Sequence, residues 1–211
     1  MGPEEDSRER IMEATYRALA ERGYADLTMS DIATESGTST GLLHYHYDTK
    51  EELLVAFLDD AVDRLEADLE DMAAAGPVEG LYRVLSLFVL GDDDPEREAF
   101  HGSLLELRAQ APHNARYRAR FQRADRAIRT TIVQILESGV ESGVFENGDH
   151  ILLAQLLLAA MDGGRSRGLA TGTSVYARRV REAIFEYVLS ELLTDAASDP
   201  WAELRDEASL E

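Results

Sequence analysis

Apolar residues recur three and four positions apart along almost the whole chain, and no run alternates over the length of a strand. This periodicity predicts an all-α fold. Ile11, Ala14, Ala18 and Leu19 mark one face of a first helix over about residues 7–22, opened by Asp6 and Glu9 as a capping pair and stopped by Gly23. Thr28 then caps a short helix reaching about Ser36, Gly37 turns the chain, and Thr38 or Ser39 caps a second short helix to about Tyr45. Asp48 and Glu51 are spaced to open a long helix, in which Leu53, Phe57, Ala61, Leu65 and Leu69 repeat every four residues up to the break at Pro77. Further helices are expected over 78–90, 95–110, 114–142, 149–168 and 174–194, making about nine in all. The acidic tail from Asp195 carries the only tryptophan, Trp201, and reads equally as a frayed end or a docked cap.

Composition narrows the function. A chain of 211 residues with 45% hydrophobic residues can bury a sizeable core. Its longest apolar run, 151–161, falls well short of the roughly 20 residues a bilayer span needs. The acidic start lacks the basic region of a signal peptide, so a cytoplasmic protein without a membrane partner is expected. The absence of cysteine removes disulfides, thiolate metal sites and cysteine nucleophiles. His44 and His46, two residues apart on a helix, point to nearly opposite faces and do not form a metal pair. The glycine-rich stretch from Met161 to Gly168 has neither the lysine nor the preceding strand of a phosphate-binding loop, and reads as a kink or close-packing point. No catalytic constellation emerges, so neither an enzyme nor a cofactor is expected.

Charge complicates the picture. Against 21 basic residues stand 41 acidic ones, a net of −20, which on its face argues against a polyanionic partner. Lys50 is the only lysine; every other base is arginine. Added acid with lost lysine resembles the proteins of salt-loving organisms. In molar salt the Debye length shrinks to about 3 Å, so long-range attraction to phosphate fades and short hydrogen bonds carry more of any DNA binding.

The block from Thr28 to Leu53, TMSDIATESGTSTGLLHYHYDTKEEL, changes the reading. Two short helices joined through a glycine set the second across the first, and its amino end offers free amides and hydroxyls to a groove. Thr38, Ser39, Thr40 and Gly41 sit at that end. The hydroxyls suit base edges or phosphates, and Gly41 permits close approach of the backbone. His44, Tyr45 and His46 follow with polar tips suited to phosphate, as does Lys50 at the start of the next helix. In order and spacing the block resembles the amino-terminal signature of the TetR family of repressors, closely over about the first 55 residues and beyond them only in length and helix count. The resemblance implies phosphate contacts at Thr28, Thr38, Tyr45, His46 and Lys50 and base contacts chiefly at Thr40 and Gly41. The position of Thr40 is often a lysine in relatives, where it pairs with guanine, and this chain departs from that pattern.

A DNA-binding domain over 1–50 and a ligand-binding and dimerisation domain over 51–211 follow from the resemblance, with operator DNA, a small-molecule effector and a second copy of the chain as partners. Aromatic and apolar residues on the middle helices are the candidate pocket walls: Tyr82, Phe88, Phe100 and Leu104, then Tyr117, Phe121 and Met161. Six arginines fall between Arg116 and Arg129, a stretch with a single acid, Asp125. They either pair with the acidic long helix around Asp59 and Asp63, or some of them, Arg120 and Arg123 foremost, hold an anionic effector whose apolar tail enters the core, as an acyl-CoA would. The last two helices carry stripes expected to build a four-helix dimer surface: Leu152, Leu156 and Ala160 on one, Val180, Ile184 and Val188 on the other. A rival reading makes the chain a nucleic-acid or protein-interaction adaptor whose contact is the arginine cluster.

Overall fold

The structure, a computed structural model, describes residues 3–89, 95–173 and 175–207. Helices α1 (Pro3–Asp26), α2 (Met29–Glu35), α3 (Thr40–His46), α4 (Lys50–Ala74), α5 (Pro77–Val89), α6 (Pro95–Gln110), α7 (Ala115–Glu141) and α8 (His150–Thr171) follow in order. Next come α9 (Val175–Ala183), a π-helical turn (Ile184–Val188), α10 (Leu189–Leu192) and α11 (Asp195–Glu207). The all-helical expectation therefore holds. The expected loop at 91–94 and the end of the tail lie outside the described residues.

Several boundaries differ from the sequence pattern for local reasons. Helix α1 starts at Pro3, a residue suited to a first helical turn, so Asp6 lies within the helix and does not cap it. Gly23 does break it, with φ 74° and ψ 168°. At α4 the cap is Thr49: its Oγ1 accepts from the Glu52 amide at 3.1 Å, while the Glu52 carboxylate accepts from the Asp48 amide at 3.0 Å. Sequence spacing had favoured Asp48 with Glu51, one position early. The helix expected over 174–194 carries a π turn, which inserts an extra residue and shifts the register of everything after it.

The chain divides into two compact units. The first holds Met1–Arg64 with Asp92–Arg123, the second Leu65–Gly91 with Ala124–Glu211. In the first, Ile11 and Leu19 of α1, Ile32 of α2, Leu43 of α3, and Leu53, Leu54 and Leu58 of α4 form one core with Leu107 of α6 and Tyr117 of α7. Helices α2 and α3 have seven residues each, too few to persist alone, so burial of Ile32 and Leu43 holds them in place. Each such side chain contributes on the order of 1.5–3 kcal/mol.

In the second unit, Leu81 and Leu85 of α5, Ile132 and Leu136 of α7, and Leu157 and Met161 of α8 pack with Ile184, Leu189 and Leu192. Trp201 of α11 joins them and is only 6% exposed, so the tail is docked there. Its indole meets Tyr82 and Phe185 edge-on, with centroids 5.5 and 5.6 Å away. Gly164 lets α9 approach α8: a Cβ there would stand 3.0 Å from Val180. The glycine-rich stretch is a packing point.

Candidate DNA-binding surface

The surface begins with a cap. Thr28, in extended conformation, accepts through Oγ1 from the Asp31 amide at 3.2 Å, and the Asp31 carboxylate accepts from the Thr28 amide at 2.9 Å and its hydroxyl at 2.6 Å. These bonds, Thr28's hydroxyl first, hold the Asp31 carboxyl below the usual carboxylate range. Gly37, with φ 67°, makes the turn that Thr38 completes by donating its amide to the Ala33 carbonyl at 3.0 Å. The hydroxyls of Ser36 and Thr38 lie 2.9 Å apart. Ser39 is the cap of α3, accepting through Oγ from the Leu42 amide at 3.1 Å.

Helix α3 has two contrasting faces. Leu43 is fully buried and anchors it, and at a helical step of 100° Gly41 and Tyr45 fall on the opposite side. Tyr45 is 82% exposed, the largest value among the exposed apolar side chains. Thr28, Ser39, Gly41, His44 and His46 are also exposed, while Thr38, Thr40 and Lys50 are half-buried. Tyr45 and His46 meet edge to face with centroids 5.1 Å apart. The amides of the first helical turn, at Thr40 and Gly41, have no helical carbonyl a turn earlier to bond. The exposed surface of α3 thus carries the Ser39 hydroxyl, one phenol and two imidazoles on different sides of the helix, with Leu42 beside them, 39% exposed. Leu42 and the cap residue Thr49 were not singled out from the sequence. Leu42 reads there as core, and Thr49 sits behind the stronger capping residue Asp48.

Lys50 is engaged within the fold. Its Nζ donates to the Leu27 carbonyl at 2.8 Å and the Tyr24 carbonyl at 3.1 Å, and stands 4.9 Å from the centre of the Tyr24 ring. Two of its three N–H donors therefore grip the corner between α1 and α2.

The residues expected at an effector site are distributed between the units. Phe100, Leu104, Tyr117, Phe121, Arg120 and Arg123 belong to the first, where the four ring or apolar side chains join the core around Leu43 and Leu107. Burial, the neighbouring Tyr24 and Glu51 push the Tyr117 phenol well above its ordinary pKa. Tyr82 and Met161 belong to the second core, and the Phe88 side chain lies outside the described residues. Arg120 binds both oxygens of Asp59, through Nε at 2.9 Å and Nη2 at 2.7 Å, and Arg123 reaches Asp63 at 2.7 Å. For these two arginines the acidic long helix is the partner in the structure.

The residues expected at the dimer surface also separate. Leu152 and Leu156 are 63% and 56% exposed, Ala160 is half-buried, and Ile151 stands out beside them. Ile184 is 4% exposed and lies in the chain's own core, with Val180 and Val188 packed against it. The exposed apolar side chains on that stretch are instead Val175, Tyr176 and Tyr187.

Comparison with known proteins fits this geometry. A family model for bacterial regulatory proteins of the tetR family matches residues 11–57, and one for the C-terminal part of BetI-type transcriptional repressors matches 77–193. A crystal structure of a TetR transcription regulator from Haloarcula marismortui is 36% identical, with a TM-score of 0.79 over 89% of this chain and 99% of that one. A transcriptional regulator from Saccharomonospora viridis, crystallised with choline, is 27% identical, with a TM-score of 0.70 over 90% of this chain and 99% of that one. Among curated proteins, the transcriptional repressor AcnR of Corynebacterium efficiens is 28% identical over 170 residues, 80% of this chain and 85% of its own length. With helix-turn-helix geometry at one end and these matches spanning both parts of the sequence, the chain belongs to the TetR family of transcriptional regulators.

Proposed function

We propose that this regulator is a ligand-released repressor that binds a palindromic operator as a homodimer. The reading rests on α3: Leu43 fixes one face, Gly41 and the exposed Tyr45 occupy the other, and Thr40 opens the helix. Thr40 and Gly41 meet base edges in the major groove, while Thr28, Thr38, Ser39, His44, Tyr45, His46 and Lys50 hold phosphates on either side. In a two-fold dimer the two α3 helices stand about 34–36 Å apart, one helical turn of DNA, which is why the operator is a palindrome. The dimer face is centred on Ile151, Leu152 and Leu156, extended by Tyr176 and Tyr187. In this division residues 1–50 read DNA and 51–211 bind the effector and the partner copy. High working salt suits the −20 charge, because it screens repulsion between an acidic dimer and DNA.

Two effector classes are in play. An amphipathic anion such as an acyl-CoA was suggested by the arginine cluster, but Arg120 and Arg123 already hold Asp59 and Asp63. A quaternary ammonium compound is suggested by the choline-bound relative. The adaptor reading based on the arginines keeps Arg116, Arg118 and Arg126 as exposed contacts, while Arg120 and Arg123 are held by the acidic long helix.

Binding to the upstream DNA of the regulator's own gene, followed by fluorescence anisotropy in high salt, tests the proposal. Thr40→Ala and Tyr45→Ala are expected to abolish specific binding and Arg123→Ala to spare it; the reverse pattern favours the adaptor. Titration of the complex with choline or stearoyl-CoA separates the effector classes, and indifference to both removes both assignments.

A further inference from the structure

The break in α1 leaves a backbone corner that three helices hold. At Gly23 the chain leaves helical geometry, so the amide and carbonyl groups that follow need partners outside α1. The Tyr24 amide donates to Glu106 Oε2 of α6 at 2.8 Å. The Tyr24 and Leu27 carbonyls accept from Lys50 of α4. One helical turn before Glu106, the buried Ser103 hydroxyl donates to the Leu19 carbonyl of α1 at 2.6 Å. A carboxylate thus holds the N–H of Tyr24 and an ammonium holds its C=O. Both bonds are charge-assisted, the stronger kind. The fit is close on the far side too, because a Cβ on Gly23 would stand 3.4 Å from Glu106 Oε2 while forcing a side chain into positive φ.

This corner leads straight into the reading surface. Leu27 is followed by the cap Thr28, and α2 and α3 are too short to fix their own direction. Whatever fixes residues 23–27 therefore aims α3. Glu106 lies far along the sequence, outside the stretch 11–57 matched as DNA-binding, and its carboxylate is bonded to the Tyr24 amide.

We propose that Glu106 is a positioning residue for operator binding, holding the Tyr24 corner against Lys50 so that α3 presents its free end in one orientation. The proposal rests on the operator-binding reading above. Lys50 then has two tasks, the corner and a phosphate, whereas Glu106 has only the first.

The test uses the full chain and a duplex that the wild-type protein selects from a random-sequence pool. Glu106→Ala is expected to weaken binding about tenfold, the scale of one charge-assisted hydrogen bond. The dependence of affinity on salt stays unchanged, since no phosphate contact is lost. Glu106→Gln keeps an acceptor for the Tyr24 amide and restores most of the affinity. Lys50→Ala, by contrast, lowers both the affinity and the salt slope, the latter by about one. In the free protein, amide exchange of Glu106→Ala rises over residues 24–46 while residues 124–173 keep their protection. Wild-type affinity in Glu106→Ala, or exchange raised throughout the chain, overturns the proposal and leaves Glu106 a general structural residue. If the wild type selects no duplex, the operator reading falls. The exchange measurement still judges the corner, and unchanged protection over 24–46 rejects it.

Discussion

The α2–α3 pair and the bundle of α5, α7 and α8 are both helical, yet they are stabilised in different ways. The pair has seven residues per helix, side-chain caps at Thr28 and Ser39, and few buried side chains of its own. The bundle has helices up to 27 residues long and a core running from Leu69 to Trp201. Short helices with little core depend on hydrogen-bonded ends. The long helices are capped too, α7 by Asn114, whose Oδ1 accepts from the Arg116 and Tyr117 amides, and α8 by Asp149, which accepts from the Leu152 amide, but a deep core carries most of their stability. A reader of DNA needs the first arrangement where it touches the groove.

If the pair depends on so few buried groups, removing one should disturb it selectively. Leu43→Ala is expected to cost about 2–5 kcal/mol, the range for a fully buried leucine. Exchange protection over residues 29–46 should vanish before that of α8, and operator binding should be lost with it. Loss of protection in both places together would show that the two regions unfold as one, and the contrast drawn here would not stand.

The bundle should respond to packing errors instead. A Cβ at Gly139 would fall 1.9 Å from Cδ2 of the buried Phe145 ring, so Gly139→Ala forces the loop after α7 to move. Overpacking of this kind costs about 1–3 kcal/mol. Thermal unfolding should register it as a lower midpoint, with exchange over residues 29–46 unaltered. A Gly139→Ala protein as stable as the wild type would mean that this loop yields freely.

The same contrast decides what could be read from the sequence. Caps and turns are local, so Thr28, Gly37 and Ser39 announced α2 and α3 within a residue of their observed bounds. The α4 cap shifted from Asp48 to Thr49 because two adjacent capping residues face two adjacent glutamates, and periodicity cannot choose between registers one residue apart. Apolar stripes on long helices say that a face is buried but not by what. Ile184, Val180 and Val188 read as a partner surface, yet they close the chain's own core, while Tyr187 on the other side of the π turn stays exposed. Phe100, Leu104, Tyr117 and Phe121 looked like pocket walls beside Tyr82 and Met161. Their burial around Leu43 and Leu107 depends on long-range packing of α6 and α7 that no local pattern reveals. Glu106 was invisible for the same reason: its partner amide is 82 residues away.

The smallest effect concerns the cap itself. Thr28→Ala removes the hydroxyl that both accepts from and donates to Asp31, at a cost of about 1 kcal/mol typical of such caps. Because the folded Asp31 carboxyl is held below its ordinary value, its contribution is present at neutral pH, where the group is ionised in both folded and unfolded chains. It fades as pH falls below about 4, through the unfolded and then the folded pKa. A carbon-detected NMR titration should therefore find Asp31 protonating at lower pH than an unperturbed aspartate, and Thr28→Ala should move it back up. An Asp31 that titrates identically in both proteins would show that the Thr28 amide and the Arg22 guanidinium 3.4 Å away, rather than the cap hydroxyl, hold its carboxyl down.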